Sequence, residues 1–196
     1  MPDYDAATAL VVVDVQNDFA DPDGSLYVAG GEDVVPLINR EIDAARGAGA
    51  LVVYSADWHP QSTPHFKKDG GIWPVHCVGG TWGAEFHPDL QVDVAADVIR
   101  KGTGGEDGYS VFTVRDPETG EQAPTRLERT LREHGIQRVV IAGLATDYCV
   151  KDTALDARRL HFDVTVIEDA IRAVNLDPED GVRAVQAMRD AGADLA

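Results

Sequence analysis

The chain has 196 residues, of which 34 are acidic and 17 are basic, so its formal net charge is -17 at pH 7. This negative charge repels phosphate backbones and anionic membrane surfaces, which argues against a nucleic-acid-binding or membrane-bound protein. Apolar runs stay well short of the roughly 18 residues that span a bilayer, so we expect a cytoplasmic protein with a single domain over residues 1–196.

Strands and helices are predicted to alternate along the chain. Apolar, β-branched runs predict strands over 8–14, 51–55, 96–100, 139–142 and 164–167, and helical spacing predicts helices over 33–46, 125–134 and 178–191. The final AGADLA leaves room for a short or truncated sixth strand. This alternation indicates an α/β fold, with three layers (α/β/α) around a parallel sheet of five to six strands.

The stretch VVIAGLATDYCVK at 139–151 predicts a buried strand, a turn and a helix that begins beside Cys149. Thr146 or Asp147 is expected to cap that helix, because a short side-chain oxygen can accept a free N–H of the first turn. A thiol in this position is expected to have a lowered pKa and to act as a nucleophile. The alternative is that Cys149 is inert packing, as most buried cysteines are. Cys77 and Cys149 are both expected to be reduced.

Four predicted strands end on chemically reactive residues, namely Asp14, Asp57, Lys101 and the turn that carries Cys149. The carboxyl ends of parallel strands meet at one edge of a sheet, where ligands bind, so we expect these groups to lie close together. Beside a thiol, Asp14 becomes a candidate general base. Lys101 would keep that carboxylate ionised or hold a thiolate.

A second group of candidates lies in the long stretch 57–91, which is rich in Gly, Pro, Trp and His. Loops of this length in a compact domain are usually functional. One carboxylate and three imidazoles (Asp57, His59, His65 and His76) form a nitrogen and oxygen donor set suited to one divalent metal ion, Zn, Fe or Mn. The alternative is that these are surface histidines that bind nothing.

Several motifs then follow in a recognisable order: DVQNDF at 14–19, DWHP at 57–60, HF at 65–66, WPVHCVGGTWGAEFHPDL at 73–90, KG at 101–102, YSVF at 109–112 and GLATDYCVKDTALDA at 143–157. With these motifs the sequence resembles the nicotinamidases, within the wider isochorismatase-like hydrolases. The match covers nearly the whole chain. The glycine at position 79 and the Gly-rich loop 102–108 depart from the usual pattern, and they leave substrate breadth undecided.

The resemblance implies a sheet order of 3-2-1-4-5-6 and a cis peptide between Leu144 and Ala145. It assigns roles to residues of this chain as follows: a catalytic triad of Asp14, Lys101 and Cys149; an oxyanion hole from the backbone N–H groups of Ala145 and Cys149; metal ligands Asp57, His59, His65 and His76; and substrate-binding residues Phe19, Gln16, Trp73, Tyr109 and Leu144.

The implied activity is hydrolysis of nicotinamide to nicotinate and ammonia through a thioester, as a step of NAD salvage, with pyrazinamide as a second substrate. The metal ion would bind the pyridine nitrogen and orient the substrate. Two alternatives stay open: a cysteine amidase of the same superfamily that acts on another small amide, and a catalytically silent metal-binding module. The sequence also leaves open a homo-oligomer.

Overall fold

The computed structural model describes residues 2–93 and 96–196, in which strands and helices alternate. The strands are β1 (Thr8–Val13), β2 (Leu51–Asp57), β3 (Asp97–Lys101), β4 (Thr113–Arg115), β5 (Gln122–Pro124), β6 (Arg138–Leu144), β7 (Asp163–Arg172) and β8 (Asp194–Leu195). The α-helices are α1 (Asn17–Ala20), α2 (Gly31–Gly47), α3 (Leu127–Glu133), α4 (Lys151–Arg159) and α5 (Asp180–Asp190). A π-helical turn, Thr146–Val150, leads directly into α4.

Six of these strands form one sheet in the order β3-β2-β1-β6-β7-β8, and each pair of neighbours runs parallel. Counted within this sheet alone, the order is 3-2-1-4-5-6, which confirms the expected topology. The sixth strand, β8, has only two residues, as the short C-terminal segment predicted.

The sheet lies between two apolar layers, and β1 supplies both. All six residues of β1 are buried. Ala9, Val11 and Val13 pack with α3 and α4 on one face, whereas Leu10 and Val12 pack with α2 on the other. Because successive side chains of a strand point to opposite faces, a continuous apolar run suits a strand that is covered on both sides. The three-layer prediction is therefore confirmed.

Two details differ from the predicted elements. The strands β4 and β5 pair as an antiparallel hairpin that the sequence analysis did not predict, since each has only three residues and neither shows a buried apolar face. Helix α2 begins at Gly31, two residues ahead of the predicted start, after Gly30 in a left-handed conformation with φ of 74°. None of the helices in the described ranges is both long and apolar enough to cross a bilayer.

Candidate active site

The sheet brings the four predicted strand-end residues together at its carboxyl edge. Asp57 and Lys101 are the last residues of β2 and β3, Asp14 follows β1, and Cys149 lies in the turn after β6. The strands β1 and β6 are neighbours, and the chain order reverses between them, which is where α/β sheets open a crevice. One carboxylate oxygen each of Asp14 and Asp57 and the Cys149 sulfur lie within 4.8 Å of one another.

Lys101 is the centre of this charged cluster, and its side chain is buried. Its Nζ atom lies 2.7 Å from Asp14 Oδ2 and 2.9 Å from Asp57 Oδ1. It also donates to Cys149 Sγ at 3.4 Å and to the Tyr109 carbonyl at 3.1 Å. Burial alone would lower the pKa of Lys101, but the two carboxylates outweigh it and hold that pKa well above its usual value. Lys101 is therefore a fixed positive charge.

The two carboxylates have pKa values shifted in opposite directions. Burial raises the pKa of Asp14 despite the neighbouring Lys101 ammonium. Burial also acts to raise the pKa of Asp57, but Lys101 and His59 overcome it and place that pKa well below the usual range. Asp14 Oδ1 further accepts a hydrogen bond from Ser55 Oγ at 2.7 Å. Asp14 is thus the better proton acceptor, while Asp57 stays charged.

The pKa expected for Cys149 was wrong in direction. The thiol is 6 % exposed, and burial raises its pKa well above the ordinary value; the Lys101 ammonium opposes this shift, whereas Asp14 and Asp57 add to it. A helix-start position alone therefore does not give a thiolate here. The resting side chain is a thiol, and it needs a base beside it to react.

The turn that carries Cys149 is held differently from the prediction. Neither Thr146 nor Asp147 caps it, because Ala145 occupies the cap position with no side-chain hydrogen bond. Instead, the buried Asp147 carboxylate accepts the backbone N–H groups of Val174 at 2.9 Å and Asn175 at 2.8 Å. These bonds tie the turn to the segment after β7. The peptide between Leu144 and Ala145 is cis, as the resemblance implies.

The three predicted imidazoles converge next to the charged cluster. Ring nitrogens of His59, His65 and His76 lie within 4.8 Å of one another. Asp57 Oδ2 lies 3.7 Å from His59 Nε2 and 3.9 Å from His76 Nε2. Asp57 therefore faces both clusters, with one oxygen on Lys101 and the other towards the imidazoles.

The hydrogen bonding of these rings fits a divalent cation. His76 Nδ1 lies 2.8 Å from the Pro74 carbonyl, which can only accept, so Nδ1 carries the proton. Burial lowers the pKa of His76 to about 4, so the ring is neutral near pH 7. Both ring nitrogens of His59 are buried and lack a hydrogen-bond partner among the described residues. Such unsatisfied nitrogens beside a carboxylate are what a metal ion would satisfy.

Two of the residues assigned to the substrate lie outside the pocket lining. Gln16 is buried behind Asp57: its amide nitrogen donates to the carbonyls of Asp57 at 2.7 Å and Ala84 at 2.9 Å. Its amide oxygen accepts the Asp57 N–H at 2.8 Å. Gln16 therefore positions a carboxylate instead of lining the pocket. Leu144 is buried in the core that packs against α2, because its strand is covered on both faces.

The pocket itself is narrow, with a cavity volume of about 30 Å³, and its exposed surface is mostly apolar. The three expected aromatic residues line it, and so do Ala145 and Cys149, both expected to supply the oxyanion hole; the full lining is Phe19, Leu26, Asp57, His65, Trp73, His76, Tyr109, Ala145, Tyr148, Cys149 and Val174. Trp73 Nε1 donates to the Tyr109 hydroxyl at 3.1 Å. The Tyr148 ring packs edge-on against both, at 4.8 and 5.0 Å between ring centroids.

Some residues that shape the site were not predicted. Tyr148, Leu26 and Val174 line the pocket. Of these, only Tyr148 could have been suspected from the sequence, because it directly precedes Cys149. Ser55 and Asp107 contact Asp14 and His65, respectively. Both contacts join residues about forty positions apart, so no local pattern could reveal them.

Comparisons with known proteins give consistent results. The Isochorismatase domain family matches residues 8–196. The nicotinamidase of Escherichia coli is 39% identical over 203 aligned residues, which cover 95% of this chain and 93% of that protein. Among solved structures, the pyrazinamidase of Pyrococcus horikoshii in complex with zinc has a TM-score of 0.86 and 39% identity over 97% of this chain and 98% of its own. PnC1 from L. infantum in complex with nicotinate has a TM-score of 0.89 and 36% identity over 100% of this chain and 95% of its own.

Proposed function

Because the chain belongs to the Isochorismatase domain family and is a hydrolase that acts on amide bonds, we propose that it converts nicotinamide to nicotinate and ammonia through a thioester on Cys149. The observation that carries this proposal is the Cys149 sulfur at the wall of an aromatic pocket, 3.4 Å from Lys101 Nζ. Pyrazinamide has the same carboxamide on a similar ring, so we include it as a second substrate. The single domain then serves NAD salvage in the cytoplasm.

In the first step, the Cys149 sulfur attacks the carboxamide carbon while Asp14 takes the thiol proton. Asp14 suits this role because its pKa is raised, whereas that of Asp57 is lowered. Lys101 stays charged between them and offsets the negative charge that develops on the sulfur. The backbone N–H groups of Ala145 and Cys149 would stabilise the oxyanion, each worth roughly a hundredfold to a thousandfold in rate.

The second half of the reaction uses the same carboxylate. Asp14 returns its proton to the nitrogen as the C–N bond breaks, and ammonia leaves. Asp14 then takes a proton from water, whose oxygen attacks the thioester carbon. The C–S bond breaks and the Cys149 sulfur recovers its proton from Asp14. The second proton of the water leaves with the product as nicotinic acid, which ionises to nicotinate in solvent. No proton is gained or lost by the protein over the cycle.

The four donors Asp57, His59, His65 and His76 would hold one divalent ion, Zn, Fe or Mn, next to the charged cluster. When bound, the ion would supply a ligand position for the ring nitrogen of the substrate, and so orient the carboxamide. The aromatic residues Phe19, Trp73 and Tyr109 would hold the faces and edges of the ring.

The decisive experiment is to incubate the purified protein with nicotinamide and to follow nicotinate by chromatography and ammonia by a coupled assay. A panel of other small amides tests the broader cysteine-amidase alternative. The variant Cys149→Ala is expected to lose ammonia release while keeping its metal content. Substantial residual turnover would contradict the thioester mechanism.

The variant His59→Ala tests the metal assignment separately, because it removes a buried ligand nitrogen. We expect a lower metal content by elemental analysis and a raised KM for nicotinamide. An unchanged metal content would refute the assignment of His59 without affecting that of Cys149.

A further inference from the structure

The loop 102–108, which follows Lys101, contacts two of the three imidazoles. At Gly102 a Cβ atom would lie 2.6 Å from His59 Nδ1, so this loop packs directly on that ring. Further along, Thr63 Oγ1 donates to the Gly105 carbonyl at 3.3 Å. The loop and the segment that carries His65 are thus joined at several points.

The strongest of these contacts is a chain of three side chains. His65 Nδ1 lies 2.9 Å from Asp107 Oδ1, and the Arg115 guanidinium lies 2.5 Å from Asp107 Oδ2. The backbones of Asp107 and Arg115 also exchange two hydrogen bonds of 2.6 Å. Gly108 N–H donates to Asp107 Oδ1 at 2.7 Å. The carboxylate is therefore fixed by the hairpin strand β4 and by its own loop.

The outward-facing nitrogens of the three imidazoles have different partners. The partner of the His76 nitrogen is a backbone carbonyl, and the His59 nitrogens have no hydrogen-bond partner among the described residues. Of these three imidazoles, only His65 has a carboxylate, that of Asp107, as the hydrogen-bond partner of its outward-facing nitrogen. Because a carboxylate only accepts, His65 Nδ1 must carry the proton, and the lone pair of Nε2 is then presented to the cluster. A charged acceptor on a ligand imidazole also makes the opposite nitrogen more basic.

We propose that Asp107, held in place by Arg115, is a positioning residue that orients His65 and strengthens the binding of the divalent ion. The inference rests on the metal site of the proposed function, and it adds to that site a residue outside the ligand set. Through Arg115 and Asp107, the hairpin β4–β5 would then hold the metal ligand His65 in place.

The test measures Zn²⁺ affinity of the metal-stripped full chain by competition with a chromophoric chelator. The variants are Asp107→Ala, Asp107→Asn and Arg115→Gln. We expect Asp107→Ala to weaken Zn²⁺ binding about 10- to 100-fold, as loss of such a partner does at other metal sites. Asp107→Asn keeps an acceptor but no charge, so its loss should be smaller, and Arg115→Gln smaller again.

Asp116→Ala is the matched control, because it is an aspartate of the same hairpin. Its carboxylate accepts the N–H groups of Glu118 and Thr119 at the turn, and it has no hydrogen bond to His65 among the described residues. Its Zn²⁺ affinity should stay within about twofold of wild type. An equal loss in Asp116→Ala would overturn the proposal, since hairpin stability would then explain the effect.

A second readout separates positioning from a general structural role. Excess Zn²⁺ should restore nicotinamide turnover in Asp107→Ala, since the chemistry at Cys149 is intact. Wild-type Zn²⁺ affinity in Asp107→Ala overturns this inference alone, whereas a wild-type chain that hydrolyses no nicotinamide overturns the proposed function. If Asp107→Ala does not fold, judged by thermal unfolding without metal, the affinities of Asp107→Asn and Arg115→Gln decide.

Discussion

The two halves of the site reach their positions in different ways. Asp14, Lys101 and Cys149 lie at or just beyond the ends of neighbouring strands, so the register of a buried parallel sheet places them. The imidazoles of His59 and His65 instead lie on an irregular loop, where single hydrogen bonds and close contacts from elsewhere hold them. Loss of a functional group in the charged half should therefore lower the rate of the reaction. Changes in the contacts that support the imidazole half should instead lower its metal affinity.

The largest expected effect comes from removing the base in the charged half. Asp14→Asn keeps the shape but cannot accept the thiol proton, so kcat should fall about 10³-fold or more. Zn²⁺ affinity should stay nearly unchanged, because the two Asp14 carboxylate oxygens bond to Ser55 and Lys101. Steady-state kinetics with a metal titration checks both values.

The control for that variant is Ser55→Ala, which removes only the hydroxyl that donates to Asp14 at 2.7 Å. Its kcat should fall by less than about tenfold, in line with one hydrogen bond. If Asp14→Asn lost its metal as well, the two halves would not be separable in this way.

The pH dependence of thiol alkylation tests the charged half directly. Burial and the nearby carboxylates raise the pKa of Cys149, so the thiolate fraction is small at pH 7 and grows as the pH rises. The rate with iodoacetamide should rise about tenfold per pH unit and should go on rising beyond the pH at which free cysteine, with a pKa of about 8.5, levels off.

Mass spectrometry assigns that alkylation to Cys149, since Cys77 is fully buried and should stay unmodified. A rate that reached its plateau below about pH 8 would mean a preformed thiolate. In that case the pKa of Cys149 would be lowered by its position at the start of a helix, as the sequence predicts, and not raised by burial.

The imidazole half is tested by adding one methyl group to its support. Gly102→Ala would place a Cβ 2.6 Å from His59 Nδ1, at a backbone φ of 77°. We expect the ring to move and Zn²⁺ affinity to fall about tenfold, as for other disturbed ligand supports. Competition with a chelator measures the change.

Gly105→Ala is the matched control in the same loop. It has a similar strained φ of 91° but nothing within 4 Å of the added Cβ. Both variants carry the backbone cost of a positive φ, and only Gly102→Ala adds the contact with His59. Equal losses of Zn²⁺ affinity would show that backbone strain, and not the ring contact, is responsible.

The smallest expected effect concerns the aromatic wall between the two halves. Trp73→Phe keeps an aromatic ring but removes the N–H that donates to Tyr109 at 3.1 Å. The KM for nicotinamide should rise about two- to fivefold, as expected for one partly exposed hydrogen bond. Tyr109→Phe should behave alike, and the double variant should add little; fully additive changes would show that the two residues act separately.

The comparison also explains which parts of the molecule could be predicted from the sequence. Runs such as Ala9–Val13 and Val139–Ala142 are apolar and β-branched, which specifies buried strands, and residues that follow such strands share one edge. The charged half was therefore accessible from local pattern. The sign of the Cys149 pKa was not, because it depends on burial and on two carboxylates that come from other strands.

The supports of the imidazole half were beyond prediction for a similar reason. Asp107 and His65 are 42 residues apart, and the hairpin that fixes Asp107 has no apolar pattern. Asp147 looked like a helix cap by its position, yet it bonds the distant Val174 and Asn175. Local sequence specifies elements, whereas the partners of a buried polar group depend on the completed fold.

The placement of Lys101 at the end of β3 has a consequence for chain length. Lys101 binds the carboxylates, the next residue touches His59, and Asp107 binds His65, so three anchors share one short segment. An insertion or deletion anywhere in 102–106 would pull at least one anchor out of place. The turn at 117–120 is exposed and lies outside this segment, so extra residues are expected to be tolerated there and not between the anchors.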